Sequence, residues 1–179
     1  MKTKQKFSAL IAALSLALAF SAAAAPKVGD LAPLVSGKTQ DKEKWKLEDD
    51  IGKSIVLLYF YPKDDTPGCT KEACGLRDKM NDLKAQGVKV VGVSFDDVDS
   101  HKRFMFKYDL NFTLVADPSG KIADTYGARM KGDRKMDRRV SFLIGLDGRI
   151  IHVTDNPSAD VHLEEMQRAI HNLNGKGNP

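Results

Sequence analysis

This chain of 179 residues is poor in cysteine: it has two, Cys69 and Cys74. A single pair cannot form the framework of bridges that holds small secreted scaffolds together, so stability has to come from a buried apolar core. Between residues 25 and 179 there is no internal repeat, no heptad pattern and no Ser/Gly linker, which leaves one domain. A phosphate-cradling glycine loop is missing, and Ser94, Ser100 and Ser141 lack the Gly-x-Ser-x-Gly setting of an acyl-transfer nucleophile. His101, His152, His162 and His171 are scattered and make no spaced ligand set with two cysteines five residues apart, so neither a metal nor another cofactor is expected. A large excess of one charge is also missing, with 28 Lys and Arg against 24 Asp and Glu. The net charge is +4, but Lys2, Lys4 and Lys6 stand in an N-terminal segment without acids, and the remainder carries only +1. That balance removes the main support for a nucleic-acid partner. Trp45, inside the polar run Lys42 to Asp49, has no second aromatic at useful spacing and reads as a surface-anchored ring rather than a stacking platform.

What the chain does contain begins with a leader. Met1 to Lys6 is basic, Phe7 to Phe20 is an apolar run broken only by Ser8 and Ser15, and Ser21 to Ala25 is small, the three regions of a secretory signal peptide. Ala22 and Ala24 satisfy the small-x-small rule, so residues 1–24 are expected to leave and residues 25–179 to form the mature domain. An uncleaved anchor is the alternative, since Phe7 to Ala25 is just long enough to span a thin bilayer. Either way the expected location is periplasmic or otherwise exported, and both cysteines meet an oxidising space.

Ser54-Ile-Val-Leu-Leu-Tyr-Phe-Tyr61 and Val88-Lys-Val-Val-Gly-Val-Ser-Phe95 are apolar runs of the kind expected for strands covered on both faces. Between them Cys69, Ala73, Leu76, Met80 and Leu83 recur at steps of four and three, the stripe of a helix ending at Gly87. A right-handed crossover then sets the two strands parallel. Ser100 to Tyr108 reads as a helix, Phe112 to Ala116 as a strand and Ser119 to Tyr126 as a helical turn or two. Arg139 to Ile144 and Arg149 to Val153 flank Gly145-Leu-Asp-Gly148, a hairpin signal. A last helix spans about Ala159 to Leu173. The sum is an α/β protein of thioredoxin-like fold, with a mixed central sheet and helices on both faces.

The chemistry concentrates where the first strand runs through a polar loop into the helix. Proline favours the first helical position, so Pro67 makes Thr66 the N-cap and Cys69 the third helical residue. Unpaired amides and the positive end of the helix dipole then surround the sulfur, and both favour thiolate over thiol. Cys74 lies five residues on. On an intact helix that offset means about 7.5 Å of rise and about 140° of rotation, so a bond between the two sulfurs requires local unwinding. Cys74 fits equally well as a half-buried small hydrophobe.

Pro62-Lys-Asp-Asp-Thr-Pro-Gly-Cys-Thr-Lys-Glu-Ala-Cys74 resembles the active-site signature of the peroxiredoxins, in particular the peroxiredoxin Q or bacterioferritin comigratory protein subfamily. Lys27 to Pro33, Val93 to Asp96 with Ser100-His101, and Arg139 to Ile144 resemble further segments of that family. Leu34, Val35 and Gly145 depart from it. The resemblance implies a thiol peroxidase acting on hydrogen peroxide and organic hydroperoxides. Cys69 would be the peroxidatic cysteine, oxidised to a sulfenic acid, and Cys74 would resolve it as an intramolecular disulfide that a thioredoxin-like donor reduces again. It also implies that Thr66 hydrogen-bonds peroxide and sulfur, that Pro62 shields the site and that Arg139 supports the thiolate. Arg139 is chosen by its register three residues before Phe142, with Arg138 the competing choice; the other cations of Ala128 to Arg139 read as solvated loop charges. A monomer is expected, with no membrane attachment once the leader is gone. Two other readings stand beside this one: a thioredoxin-like disulfide oxidoreductase, against which the C-x4-C spacing counts, and a non-catalytic domain with a structural disulfide.

Overall fold

The two long apolar runs become the centre of a seven-stranded sheet, because their side chains meet helices on one face and a second apolar layer on the other. The computed structural model describes residues 25–132 and 135–175, so the leader read in residues 1–24 lies outside the described part. Its strands are β1 (Ser36–Thr39), β2 (Lys44–Lys46), β3 (Ile55–Phe60), β4 (Val88–Ser94), β5 (Thr113–Ala116), β6 (Val140–Ile144) and β7 (Ile150–Asp155). The helices are α1 (Pro67–Asp78), α2 (Met80–Ala85), α3 (Val98–Tyr108), α4 (Lys121–Thr125) and α5 (Ala159–Gly175), with one turn of 3-10 helix at Leu47–Asp49. The strand order is β2-β1-β5-β4-β3-β6-β7; β3, β4 and β5 run parallel and every other neighbouring pair is antiparallel. This is the mixed sheet that the sequence predicts.

Strand alternation divides the core in two. Val56, Leu58 and Phe60 of β3 point into a layer with Val91, Val93, Val140, Phe142, Trp45 and the α4 residues Ile122 and Ala123. Leu57 and Tyr59 point the other way, into a layer with Cys69, Ala73 and Leu76 of α1, Phe104 of α3 and Met166 and Ile170 of α5. Residues alternate because successive side chains of a strand leave on opposite faces. Gly92 on β4 is needed by this second layer: a Cβ there would lie 2.8 Å from the Tyr59 ring.

The structure corrects three sequence expectations. The helix expected to run on to Gly87 is broken at Lys79, whose N–H donates to the Leu76 carbonyl. An apolar repeat of 3.5 residues drifts against a 3.6-residue turn, and the break lets both pieces keep Cys69, Ala73, Leu76, Met80 and Leu83 buried. Trp45 is no surface ring: it is 6% exposed, and its Nε1–H donates to Asp50 Oδ2 at 2.9 Å. It sits on the β1–β2 hairpin, a pair absent from the sequence reading because Ser-Gly-Lys-Thr and Lys-Trp-Lys carry no apolar alternation. One of the loop cations expected to be solvated is also engaged. Arg129 pairs with Asp124 and stacks over Phe95. Among the described residues, no helix is long and apolar enough to cross a membrane.

Asp137, just before β6, is fully buried and neither carboxylate oxygen has a hydrogen-bond partner. Burial, with Asp117 nearby, pushes its carboxyl up to about 9 from 3.8. Between those values the folded protein holds a proton that the unfolded chain releases, so Asp137 lowers stability progressively as pH rises from about 4 to about 9. Asp137→Asn should therefore raise the melting temperature at pH 8 by about 4 °C or more, with the gain vanishing towards pH 4. Thermal unfolding across that pH range checks this, and a gain that does not depend on pH contradicts it.

Candidate active site

The parallel strands β3 and β4 end at the same edge, and the chain leaving β3 forms the loop Pro62 to Thr66 before turning into α1. Two adjacent aspartates fasten this loop to α3. Asp64, 6% exposed, accepts from Tyr61 Oη at 2.7 Å and Ser100 Oγ at 2.8 Å and contacts His101 Nδ1 at 2.9 Å, while its own N–H donates to Asp96 Oδ2. Asp65 stands in the left-handed region at φ 56° and receives Lys107 Nζ at 2.7 Å and Tyr108 Oη at 2.5 Å. The Lys107 and Tyr108 hydrogen bonds hold the Asp65 carboxyl below its ordinary value. Pro62 opens the loop, half-buried.

Thr66 takes the extended N-cap conformation, φ −94° and ψ 150°, with Pro67 as the first helical residue. Its side chain does not cap the helix. Instead the Thr66 hydroxyl donates to the Lys63 carbonyl at 3.0 Å, which leaves its oxygen lone pairs as acceptors towards anything bound beside it. The first intrahelical bond runs from Thr70 N–H to the Thr66 carbonyl, so the amides of Gly68 and Cys69 lie ahead of the ladder at the positive end of α1.

Cys69 is 2% exposed. Arg139, at the head of β6, brings Nη2 to 3.5 Å from its Sγ. The same guanidinium bonds Glu72 Oε2 through Nη1 and reaches the Pro157 carbonyl through Nε at 3.4 Å. Burial pulls the guanidinium down, but Glu72 and Cys69 together outweigh it and hold Arg139 above its ordinary value. Glu72 is three residues after Cys69, on the same helical face, and is fully buried. Its second oxygen lies 2.5 Å from Nδ1 of His162 on α5, and His162 Nε2 faces the Thr154 carbonyl of β7 at 3.3 Å. Tyr59 stacks on Tyr61 at the floor of the site; burial, with Glu72 and Cys69 nearby, raises its phenol well above the ordinary value. Thus a sulfur, a guanidinium, a carboxylate and an imidazole form one chain of contacts. A sulfur so held can attack an electrophile, and Arg139 with the two free amides can receive negative charge on a departing oxygen.

Of the five residues singled out in the sequence, Cys69 and Arg139 are brought into contact, and Thr66 stands three residues before Cys69 at the helix entry. Arg138 turns away to Asp155 and the Gly127 carbonyl, so of the two arginines it is Arg139 that contacts Cys69. Cys74 is half-buried further along α1, and both cysteines are free thiols. Sequence reasoning missed Glu72 and His162. A glutamate one helical turn from Cys69, on the face that carries the apolar stripe, was the available signal for the first. Among the described residues no group of three His, Cys, Asp or Glu converges as a metal site would.

A model of the AhpC/TSA family matches residues 28–153. Over 143 residues the chain is 43% identical to peroxiredoxin Bcp of Escherichia coli, spanning 76% of this chain and 90% of that one. It is 36% identical over 146 residues to a chloroplastic peroxiredoxin Q of Triticum aestivum, spanning 81% of this chain and 67% of that one. The fold superposes on the crystal structure of peroxidoxin BcpB from Mycobacterium tuberculosis with a TM-score of 0.77 at 28% identity, covering 86% of this chain and 99% of that one.

The buried Arg139–Glu72 pair generates a stability prediction. Removing one partner of a buried ion pair strands the other, so Arg139→Leu should lower the unfolding free energy of the reduced protein by about 3 kcal/mol or more. Adding Glu72→Gln should recover part of that loss. Urea unfolding of the single and double variants checks this, and losses that simply add would contradict the coupling.

Proposed function

This chain belongs to the AhpC/TSA family and is a peroxiredoxin, a thiol peroxidase, and on that premise we propose that Cys69 reduces hydrogen peroxide and organic hydroperoxides in a two-cysteine cycle completed by Cys74. One observation carries the reading: the Cys69 sulfur lies in the first turn of α1 with the Arg139 guanidinium 3.5 Å away.

In the first step the thiolate of Cys69 attacks one peroxide oxygen and the O–O bond breaks. The departing oxygen takes the electron pair and a proton and leaves as water or an alcohol, while Cys69 becomes a sulfenic acid. Arg139 Nη2 and the Gly68 and Cys69 amides are the donors to the charge that develops on that oxygen. Thr66, its hydrogen committed to the Lys63 carbonyl, accepts a hydrogen bond from the peroxide O–H and aligns the O–O bond. Pro62, half-buried where the loop begins, shields the sulfur from competing solvent chemistry.

In the second step the Cys74 thiolate attacks the sulfur of the sulfenic acid, hydroxide departs as water with a proton, and an S–S bond closes within one chain. Because both residues belong to α1, that helix opens before the bond forms. A thioredoxin-like dithiol donor then reduces the disulfide by two exchanges and becomes a disulfide itself. The leader read in residues 1–24 supports an exported, periplasmic enzyme, and the free domain acts as a monomer.

Peroxide decay followed with the wild type and two single variants tests the cycle. Cys69→Ser should abolish consumption. Cys74→Ser should still consume a first equivalent quickly, then stall as a sulfenic or sulfinic acid visible by mass spectrometry. Full activity in Cys69→Ser would overturn the mechanism.

A further inference from the structure

We propose that His162 is a positioning residue which, through Glu72, holds α1 in its helical form and so sets how a Cys69 sulfenic acid divides between disulfide formation and over-oxidation. The proposal rests on the Cys69–Cys74 cycle above and adds a residue from outside the active-site segment to it.

Glu72 lies between the two cysteines, so any unwinding that brings Cys74 to Cys69 must move it. Both of its oxygens are engaged in a fully buried setting, one by Arg139 of β6 and the other by His162 of α5. Opening α1 withdraws the carboxylate and leaves the guanidinium and the imidazole without it in a space closed to water. A buried polar group stripped of its partner is costly, and more so when that partner is ionised.

Arg139 has a second task, its contact with Cys69, whereas His162 has none at the sulfur. The imidazole is fully buried, and its two ring nitrogens face Glu72 Oε1 at 2.5 Å and the Thr154 carbonyl at 3.3 Å. It therefore ties α1 to α5 and β7. The next residue continues the seam: Leu163 packs so closely on α1 that a Cβ on Gly75 would lie 2.3 Å from its Cδ2. The Lys71–Asp160 pair at the rim is largely exposed and adds little. Arg139 and a bond from Arg77 Nη1 to the Tyr108 carbonyl of α3 hold α1 as well, and on the α5 side the resistance to opening has His162 as its polar component.

While α1 stays closed, Cys74 cannot reach the sulfenic acid, and a second hydroperoxide can. That molecule transfers one oxygen to the sulfur, giving a sulfinic acid, and its remaining oxygen leaves with a proton as water or alcohol. Loosening the His162 hold should favour the disulfide.

The experiment mixes peroxide rapidly with wild type, His162→Leu and His162→Asn and quantifies disulfide and sulfinic acid by mass spectrometry after acid quench. Losing the donor to Glu72 should raise the ratio of the resolution rate to the rate of sulfenic acid formation roughly tenfold in His162→Leu, with a matching fall in sulfinic acid. Asparagine can set an amide N–H where Nδ1 stood, so His162→Asn should stay close to wild type. A disulfide formed at an unchanged or lower relative rate in His162→Leu overturns the role of His162 alone. A wild type that forms no Cys69–Cys74 disulfide overturns the cycle with it. A measurement on the wild type needs no variant to fold: a His162 ring N–H donated to the buried Glu72 carboxylate should give a downfield NMR signal in the reduced protein and lose it in the disulfide form. Persistence of that signal in the disulfide form overturns the proposal.

Discussion

Two sulfurs on one helix, five residues apart, cannot touch. An intact α-helix separates such positions by about 7.5 Å along its axis and about 140° around it. The geometry of the rest of the site follows from this constraint. The arrangement that suits the first chemical step, with Cys69 at the positive end of α1 beside Arg139, is one in which Cys74 is out of reach. On the proposed two-cysteine cycle the protein has to hold α1 firmly enough to present the sulfur and loosely enough to release it.

The two ends of the active-site segment are held differently, in keeping with that requirement. Upstream, Asp64 and Asp65 fasten the loop to Ser100, His101, Lys107 and Tyr108 of α3, and Tyr61 and Asp96 each add a bond to Asp64, so the loop carrying Pro62 and Thr66 has several independent attachments. Downstream, α1 depends on an apolar seam with the sheet and α5 and on a single carboxylate, Glu72, shared by Arg139 and His162. Arg77 of α1 adds a bond from Nη1 to the Tyr108 carbonyl of α3 at 2.6 Å. The parallel ends of β3 and β4 give the loop its platform, and the glycine at 92 lets Tyr59 pack beneath it.

Much of this was legible in the sequence where local physics and tertiary context agree. β3 is apolar throughout and β4 is apolar apart from Lys89 and Ser94 because both faces are covered, and Pro67 after Thr66 marks the start of α1. Register before Phe142 pointed to Arg139, the arginine whose guanidinium contacts Cys69. Less was readable where partners come from distant segments. Glu72 and His162 are 90 residues apart and meet only because α5 returns across α1. Trp45 was hidden by its lysine neighbours on a three-residue strand, and the break at Lys79 does not disturb the apolar stripe that announced the helix. The site's chemistry was written in one short segment; the device that restrains it was spread over three.

The central claim is that closing the bond between residues 69 and 74 unravels α1. Hydrogen exchange measured amide by amide on the fully reduced and the fully disulfide-bonded protein addresses it directly. The account predicts that protection over Gly68 to Arg77 collapses on oxidation while that of β3 and β4 persists. Equal protection of that helix in both forms, with the Cys69–Cys74 bond verified in the oxidised sample, would contradict it.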